Sequence, residues 1–437
     1  MLYTLAIIIL IVALSWWRPE IGMAVAVQSY LIRSAINKPT YIGQTGGADD
    51  DPLLSLVIPC IIFGVILLKR FQKGDSYERY NIRVLDTLFY LLGVVLIVGA
   101  LYSPLQNDAL MVSAKYFALG ISFYYFGRLY FSKHMDIEKA TSNFLIATWA
   151  MALLLGVYAY FQSFGVDYFR LTIGNAHPIP FSLLIAAGVL INVYWLFMPS
   201  LKIKIRMLLF TSLLILMIIF ISTNTRGTIL SLAVATIFMV SAPVLQGKVR
   251  IRSLFFGFIG LLSSLIVITQ LIPDTADTVV DNLKLIISEE QGVSIDERAM
   301  AHEDALRIFS ENILLGVGTA GFKSFSEIEY PHNAMLEMLS ENGLLGGIAL
   351  GLVYLVIIML LLKIIVKYNG LPLLIGSLVV LCMVEMQFSF TLWMHKLFFL
   401  FCGLMVSITI KSKTSGKNNG NLLLPVSHTR IVKKTII

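Results

Sequence analysis

Three residues combine the side-chain types that phosphate binding and proton transfer require: Arg226, Arg298 and His332. Arg226 follows an apolar run and precedes Gly227. A guanidinium beside a residue without a side chain suits a phosphate oxygen, because the oxygen can approach closely. Arg298 lies in a long acidic segment. His332 follows Pro331 and opens a predicted helix, where an imidazole can act as a general base.

Each of these residues also has an ordinary structural explanation. Arg226 could anchor a helix end at the membrane surface by snorkelling. Arg298 could form a surface salt bridge with Asp296 or Glu303. His332 could be a helix-start residue with ordinary hydrogen bonds. Taken one at a time, the residues favour these structural interpretations.

Further ionisable residues give weaker signals. Arg170 and His177 lie in one polar connection on the same predicted side as Arg226. Glu385 lies inside a predicted span, where an ionisable side chain faces the protein interior. We expect it to have a structural role, paired with His395 or Lys396.

The sequence predicts no metal site and no cofactor. Asp49-Asp50-Asp51 could bind a cation, but a solvated acidic loop is the preferred interpretation. Cys60, Cys382 and Cys402 all lie in apolar runs, and their spacing fits neither a disulfide framework nor a metal site.

The polar segment 273–343 is the only long one before the C-terminal tail. It holds twelve carboxylates between Asp274 and Glu329, against four basic residues. Apolar spacing predicts a helix over 277–289 on the membrane surface. A capping-box pattern at 294–297 predicts a second helix to about Ser310, and a third should run from near His332 to Asn342-Gly343.

Composition places the rest of the chain in a membrane. Hydrophobic residues make up 57% of the sequence, charged residues 14%, and the mean hydropathy is +0.83. Apolar runs long enough to cross about 30 Å of hydrocarbon recur throughout. The ten-residue alternation of a β-barrel is absent from the sequence, so we predict an all-α polytopic membrane protein.

We predict 12 or 13 transmembrane helices, since the first two apolar runs are short and could form a hairpin instead of two crossings. The chain divides into a transmembrane bundle of about ten spans (1–272), a large external loop containing short helices (273–343), C-terminal transmembrane helices (344–410) and a basic cytoplasmic tail (411–437). The predicted spans are 2–17, 21–36, 53–68, 84–102, 109–131, 141–164, 178–198, 205–222, 227–246, 254–272, 344–366, 371–391 and 393–410.

The distribution of basic residues predicts the orientation. Of the 33 Lys and Arg residues, 22 fall in one set of alternate loops and the tail. The positive-inside rule makes that side cytoplasmic. The net charge of +7 therefore reflects topology and attraction to anionic lipid, not nucleic-acid binding. Segment 273–343 should lie outside the cytoplasmic membrane.

Several motifs occur in an order that resembles the O-antigen ligase and O-antigen polymerase superfamily of bacterial envelopes. They are Asn224-Thr-Arg-Gly227, Arg298, the glycine-rich stretch 312–322, His332-Asn333 and Glu341-Asn-Gly-Leu-Leu-Gly346. The hydropathy profile supports the resemblance over essentially the whole chain. Thr225 departs from the serine that the family commonly has before Arg-Gly, but it keeps a hydroxyl.

The resemblance implies a multi-pass glycosyltransferase of the bacterial inner membrane that needs no metal. Its donor would be a glycan on a polyprenyl diphosphate such as undecaprenyl diphosphate, and its acceptor the hydroxyl of a glycan or glycolipid. Arg226 and Arg298 match the arginines thought to hold the diphosphate, and His332 matches the histidine thought to activate the acceptor. Arg170, His177, Asn333 and Glu341 are secondary candidates.

Three classes of function remain open on the sequence: glycan-block transfer, transport and a scaffold role. A polymerase of surface-polysaccharide repeat units is preferred over an O-antigen-type ligase, which would join finished chains to a lipopolysaccharide core or another carrier. A transporter or flippase is the alternative of a different class, and it should show ionisable groups near mid-membrane. A non-catalytic assembly scaffold is the third.

Overall fold

The computed structural model describes residues 2–36, 58–65, 68, 83–131, 136–163, 170–198, 201–247 and 293–415. Within these ranges the chain is helical, without a β-strand, which confirms the predicted all-α class. The helices are α1 (Leu2–Trp17), α2 (Pro19–Val27), α3 (Ser29–Ile36), α4 (Val84–Tyr102), α5 (Gln106–Tyr130), α6 (Ile137–Gln162), α7 (Pro178–Leu196), α8 (Ile203–Ser222), α9 (Arg226–Leu245), α10 (Val293–Glu311), α11 (Ala334–Lys367), α12 (Leu371–Glu385) and α13 (Lys396–Ser415).

Seven helices in the described part of the chain are long and apolar enough to cross a membrane: α4 to α9 and α11. Shorter apolar helices lie in α1, α12 and α13. The protein is therefore a polytopic membrane protein. The total of 12 or 13 spans stays a prediction. Several predicted features lie outside the described residues: span 254–272, most of span 53–68, helix 277–289, Asp49-Asp50-Asp51 and the tail from residue 416.

The first two apolar runs meet at Arg18, whose extended backbone precedes Pro19 and ends α1. α1 and α2 pack against each other, and α2 packs against α6. Proline is favoured in the first turn of a helix because the amide it lacks has no partner there anyway. The packing of α1 on α2 agrees with the predicted hairpin, and whether these helices cross the bilayer stays a prediction.

Two predicted span boundaries are wrong. The sequence predicts spans over 371–391 and 393–410, but α12 ends at Glu385 and α13 begins at Lys396. Residues 386–395 form a loop that contains a short 3-10 turn, Leu392–Met394. The apolar and aromatic side chains of this loop give it the hydropathy of a span, although its backbone is not helical.

Helix α10 confirms the second helix predicted in the polar segment and packs against α11. Its buried face carries Ala301, Ala305 and Ile308, which contact Val317 and Phe322. The side chains at the start of α10 lie outside the described ones, so the capping box stays a prediction. The predicted break at Gly343 is present as a kink inside α11, with φ of 60° and ψ of −153°.

The glycine-rich stretch and the kink of α11 lock together, and we call residues 312–322 and 340–344 the junction. Gly318 N–H donates to the carbonyl of Glu341 (2.7 Å), and Leu344 N–H donates to the carbonyl of Ile313 (2.7 Å). A Cβ atom on Gly316 would lie 2.4 Å from the Glu341 carbonyl carbon. Glycine is therefore required where the two backbones meet, and the junction fixes α10 against α11.

Candidate functional site

Three helices begin where the predicted site residues lie. His177 is the N-cap of α7, Arg226 is the first residue of α9, and His332 stands two residues before α11. Helix N-termini carry partial positive charge and unpaired amide groups, which favour anions. An arginine at the first position of α9 adds positive charge where a helix normally prefers a carboxylate, and this arrangement favours an anionic ligand.

Backbone hydrogen bonds hold these helix starts next to one another. Leu171 N–H donates to the carbonyl of Ser222 (2.9 Å), which fixes the loop of Arg170 to the end of α8. Ala334 N–H donates to the carbonyl of Met386 (3.0 Å), which fixes the start of α11 to the loop after α12. Segments distant in sequence thus meet at one end of the helix bundle.

Arg170, Arg226 and Arg298 converge there, and we call them the arginine cluster. Burial lowers the pKa of Arg170, and the charges of Arg298 and Arg226 lower it further. Burial also lowers the pKa of Arg298, with Arg226 adding to the effect and Glu385 opposing it. Like charges are brought together only at a cost in free energy, which a bound polyanion would offset.

Arg298 does not form the surface salt bridge that was its ordinary explanation. Its side chain is half-buried, and within the described residues its Nε finds no hydrogen-bond acceptor. Arg307, on the same helix, pairs with Asp304 (2.8 Å) and Glu311 (4.0 Å). Asp304 and Glu311 thus pair with the other arginine of α10, and the charges of Arg226 and Glu385 act on Arg298.

Three histidines border the arginine cluster: His177, His302 and His332. Burial lowers the pKa of His332 to about 4, and the charges of Arg298, His177 and His302 act in the same direction. Burial, Arg170 and Arg298 lower the pKa of His177 to about 4 as well. Both imidazoles are therefore neutral near pH 7. A neutral imidazole can accept a proton, as a general base must.

His177 uses one of its nitrogens to cap α7. Its Nδ1 accepts the backbone N–H of Ile179 (3.3 Å), and its own backbone N–H donates to the hydroxyl of Tyr30 (3.0 Å). By contrast, Nδ1 of His332 is buried and has no hydrogen-bond partner among the residues that the structure describes. His332 is therefore better placed than His177 to exchange a proton with a ligand.

Glu385 does not have the partners predicted for it. Its Oε2 accepts the hydroxyl of Ser231 (3.1 Å), and Thr228 gives a further hydrogen bond. His395 instead bonds the carbonyl of Ser389 through Nε2 (3.0 Å). Glu385 ends α12 and is 1% exposed, and among the charges that raise the pKa of Arg298 its effect is the largest. It belongs to the site as the counter-charge of the arginine cluster.

Asn333 and Glu341 are engaged in holding the fold. Asn333 Oδ1 accepts the backbone N–H groups of Met335 (2.9 Å) and Leu336 (3.0 Å), which makes it the N-cap of α11. Glu341 is buried, and its carboxylate accepts N–H groups of Ala320 (2.8 Å) and Phe322 (3.4 Å) in the junction. The two side chains support the site indirectly. Asn333 fixes the start of α11 next to His332, and Glu341 fixes α10 through the junction.

Gly227 does permit a close approach, but the group that approaches is part of the protein. A Cβ atom at this position would lie 2.9 Å from the Cβ of Phe388 and 3.5 Å from Glu385 Oε1. The loop after α12 therefore packs directly on the start of α9. This packing occupies the space where the sequence predicted a phosphate contact at Gly227. Arg226 remains the candidate phosphate-binding residue.

Sequence reasoning missed two aromatic residues of the site, Tyr330 and Phe390. The ring of Tyr330 packs on His332 in a tilted arrangement with ring centres 4.4 Å apart, and Phe390 packs on His177 at 5.0 Å. Both His332 and Phe390 have left-handed backbones, with φ of 56° and 62°. Such a backbone costs a non-glycine residue about 1–3 kcal/mol and clusters at functional sites.

Comparison with known proteins identifies one family. Residues 210–351 match the model of the family described as O-antigen ligase. This match confirms the resemblance over that segment, and the chain therefore carries an O-antigen ligase domain. The matched segment contains Arg226, Arg298 and His332. Arg170, Glu385 and Phe390 lie outside it, and a search of curated proteins found no match.

Proposed function

We propose that the protein transfers a glycan block from a polyprenyl-diphosphate carrier to an acceptor hydroxyl, with polymerisation of surface-polysaccharide repeat units as its leading form. The O-antigen ligase domain at residues 210–351 supports glycosyl transfer of the ligase and polymerase type in general. The donor, the acceptor and the polymerase role are our proposal. The observation that carries it is the arginine cluster, which meets three helix N-termini beside a neutral His332.

The arginine cluster has the charge and shape that a departing diphosphate requires. When the bond between the anomeric carbon and the diphosphate oxygen breaks, negative charge builds on the leaving group. Guanidiniums bind phosphate oxygens through two parallel hydrogen bonds, and partial burial strengthens the interaction. Because Arg226 and Arg298 are held in place before reaction, they stabilise that charge without reorganisation.

His332 is the proposed general base. The acceptor hydroxyl forms the new bond to the anomeric carbon and gives its proton to the neutral imidazole. Bound diphosphate would offset the positive charge around His332 and raise its pKa, which makes the ring a stronger base when the donor is present. The tilted ring contact with Tyr330 and the capping of α11 by Asn333 fix the ring in position.

We place this site at the outer face of the cytoplasmic membrane. The support is the positive-inside distribution of Lys and Arg, which puts Arg170, Arg226 and segment 273–343 outside and the C-terminus in the cytoplasm. A carrier that has been moved to the outer leaflet would then present its diphosphate at the level of the arginine cluster. The acceptor glycan would reach the site from the aqueous side.

The test replaces His332 by alanine in the native host at normal protein level. Surface glycan and lipid-linked glycan are then sized on gels. A ladder reduced to single repeat units supports the polymerase, whereas full-length chains stranded on the lipid carrier indicate a ligase. An unchanged ladder overturns the catalytic role of His332 and favours a transporter or scaffold. Arg307→Ala is the matched control, since Arg307 is ion-paired and exposed.

A further inference from the structure

Two groups of rings lie beside the arginine cluster: Tyr330 with His332, and His177 with Phe390 and His395. Tyr330 and His332 are 4.4 Å apart, His177 and Phe390 5.0 Å, and Phe390 and His395 6.3 Å between centres. The charge of Arg298 acts on both His332 and His177, so both groups border the arginine cluster. The proposed reaction uses His332 and leaves the aromatic members unexplained.

Phe390 is the member whose position is most constrained. Its φ of 62° is a conformation that bulky residues rarely adopt, so the surrounding structure must impose it. Glu337, buried in α11, accepts the backbone N–H of Leu392 (3.0 Å), and His395 Nε2 bonds the Ser389 carbonyl (3.0 Å). These contacts fix the loop on both sides of Phe390.

Phe390 and Tyr330 are both partly exposed residues. A strained backbone that served only packing would be expected to bury its ring fully, as Phe398 and Phe399 are in the nearby core. An exposed aromatic face next to cations offers a surface of negative electrostatic potential. The C–H groups on the face of a sugar ring are weakly positive and apolar, and they match such a surface.

We propose that Phe390 and Tyr330 are the aromatic walls of a carbohydrate subsite, which receives a sugar ring next to the arginine cluster. The inference rests on the proposed function. It adds a substrate-recognition site outside the O-antigen ligase segment, since Phe390 is beyond residue 351. The ring could be the sugar attached to the diphosphate of the donor or the sugar that carries the acceptor hydroxyl, and both have the same stacking chemistry.

The experiment measures binding to the purified full-length protein in lipid nanodiscs. The probes are polyprenyl diphosphate with one sugar, the same lipid without sugar, and the free acceptor oligosaccharide. Phe390→Gly removes the ring and suits the positive φ, while Phe390→Tyr keeps the ring. Phe325→Leu is the matched control, because Phe325 is exposed and its carbonyl binds Arg307. Arg307 lies nine residues after Arg298, a rotation of about half a turn, so the two arginines are on opposite faces of α10.

The wild-type protein should prefer one sugar-bearing probe, and Phe390→Gly should weaken that probe about tenfold while binding of the bare diphosphate lipid is unchanged. Weaker binding of the sugar-bearing lipid would show that the subsite holds the donor sugar. Weaker binding of the free oligosaccharide would show that it holds the acceptor sugar. Phe390→Tyr and Phe325→Leu should bind as the wild type does. If Phe390→Gly fails to fold, Tyr330→Leu provides the same comparison.

Unchanged sugar binding in both Phe390→Gly and Tyr330→Leu overturns the subsite. That result is distinct from failure of the proposed function, which Arg298→Ala tests in the same assay. If Arg298→Ala loses the bare diphosphate lipid and the aromatic variants lose nothing, the diphosphate site stands and the subsite is wrong. If wild type and Arg298→Ala bind the bare lipid equally, the proposed function is wrong.

Discussion

The junction and the arginine cluster both contain residues of the O-antigen ligase segment, yet they use their polar groups differently. In the junction, both carboxylate oxygens of Glu341 accept backbone amides, and the Gly318 amide donates to a carbonyl. In the arginine cluster, Arg298 Nε has no acceptor among the described residues. The Glu341 carboxylate is thus satisfied within the protein, whereas we propose that a ligand is the partner of Arg298. Nδ2 of Asn342 is the one buried side-chain atom of the described junction that is also without a hydrogen-bond partner.

The largest effect that this comparison predicts is at Arg298. Arg298→Ala should reduce the rate of glycan transfer about 10²–10³-fold, or about 2.7–4 kcal/mol, as expected when one fixed donor to developing charge is removed. Protein level and thermal unfolding should change little, because Nε of Arg298 holds no neighbouring group by a hydrogen bond in the described part of the chain. The measurement is the rate of transfer from a lipid-linked donor, alongside the unfolding temperature.

Arg307→Ala provides the control for this prediction. Arg307 is on the same helix and carries the same charge, but it is 48% exposed and paired with Asp304. Exposed ion pairs contribute little, so this variant should transfer glycan at the wild-type rate. Equal reductions of the transfer rate in the two variants would show that transfer depends on the overall charge of α10. The proposed difference between Arg298 and Arg307 would then be wrong.

The opposite pattern is expected in the junction. Gly343→Ala places a side chain at φ of 60° and puts its Cβ 2.4 Å from the carbonyl carbon of Leu314. A backbone with φ of 60° and ψ of −153° is essentially restricted to glycine and costs other residues about 1–3 kcal/mol, and the clash adds to this cost. The amount of folded protein and its unfolding temperature should therefore fall. Any protein that remains folded should still bind polyprenyl diphosphate, which a binding assay on the purified fraction measures.

A folded Gly343→Ala protein with unchanged stability but no diphosphate binding would contradict this assignment. The matched substitution is Gly351→Ala, further along α11, where an added Cβ meets no atom within 4 Å. It should be neutral or slightly stabilising, since alanine favours a helix more than glycine does. The pair separates the effect of a close backbone contact from that of losing a glycine.

The sequence predicted the fold class correctly, and it also singled out the candidate site residues, because each of these features leaves a local signal. Long apolar runs specify spans, and Arg226, Arg298 and His332 occur in an ordered pattern. Glu385 and Phe390 leave no such signal. Residues 386–395 have the hydropathy of a span, so the predicted helix continued through them and concealed both the end of α12 and the loop.

Side-chain partners were harder to predict than positions. Asn333 and Glu341 were candidates for chemistry because they accompany His332 in the motif, but their hydrogen bonds form a helix cap and the junction. Glu385 was assigned to nearby His395, whereas it bonds Ser231, which is 154 residues away along the chain. A prediction from sequence favours partners that are close along the chain. Which helix ends meet is determined only by the tertiary packing.

The pH dependence of transfer gives a smaller effect that refines the comparison. His332 acts when neutral, and its pKa in the free protein is lowered from 6.5 to about 4. The value of kcat/KM should therefore fall only as the pH approaches 4, whereas a base of ordinary pKa would already lose activity below 6.5. Bound diphosphate offsets the neighbouring arginines, so the acid limb of kcat should lie at a higher pH than that of kcat/KM.

Steady-state rates between pH 4 and 8 check this, with the unfolding temperature followed at each pH to exclude acid denaturation. Arg298→Lys keeps a positive charge beside His332 and should leave the acid limb of kcat/KM close to that of the wild type. An acid limb near 6.5 in both parameters would mean that His332 is not held neutral by burial and by the arginine cluster, and another group would have to be the base.

Metal removal is expected to have the smallest effect. The arginine cluster already places fixed positive charge where the diphosphate departs, which is the role that a divalent cation would otherwise have. Transfer by the wild-type protein should therefore continue at its full rate in EDTA. Arg226→Ala sharpens this expectation, because added Mg²⁺ should partly restore its rate while leaving the wild type unchanged. A wild-type rate that falls in EDTA and returns only with Mg²⁺ would show that the guanidiniums are not sufficient for the leaving group.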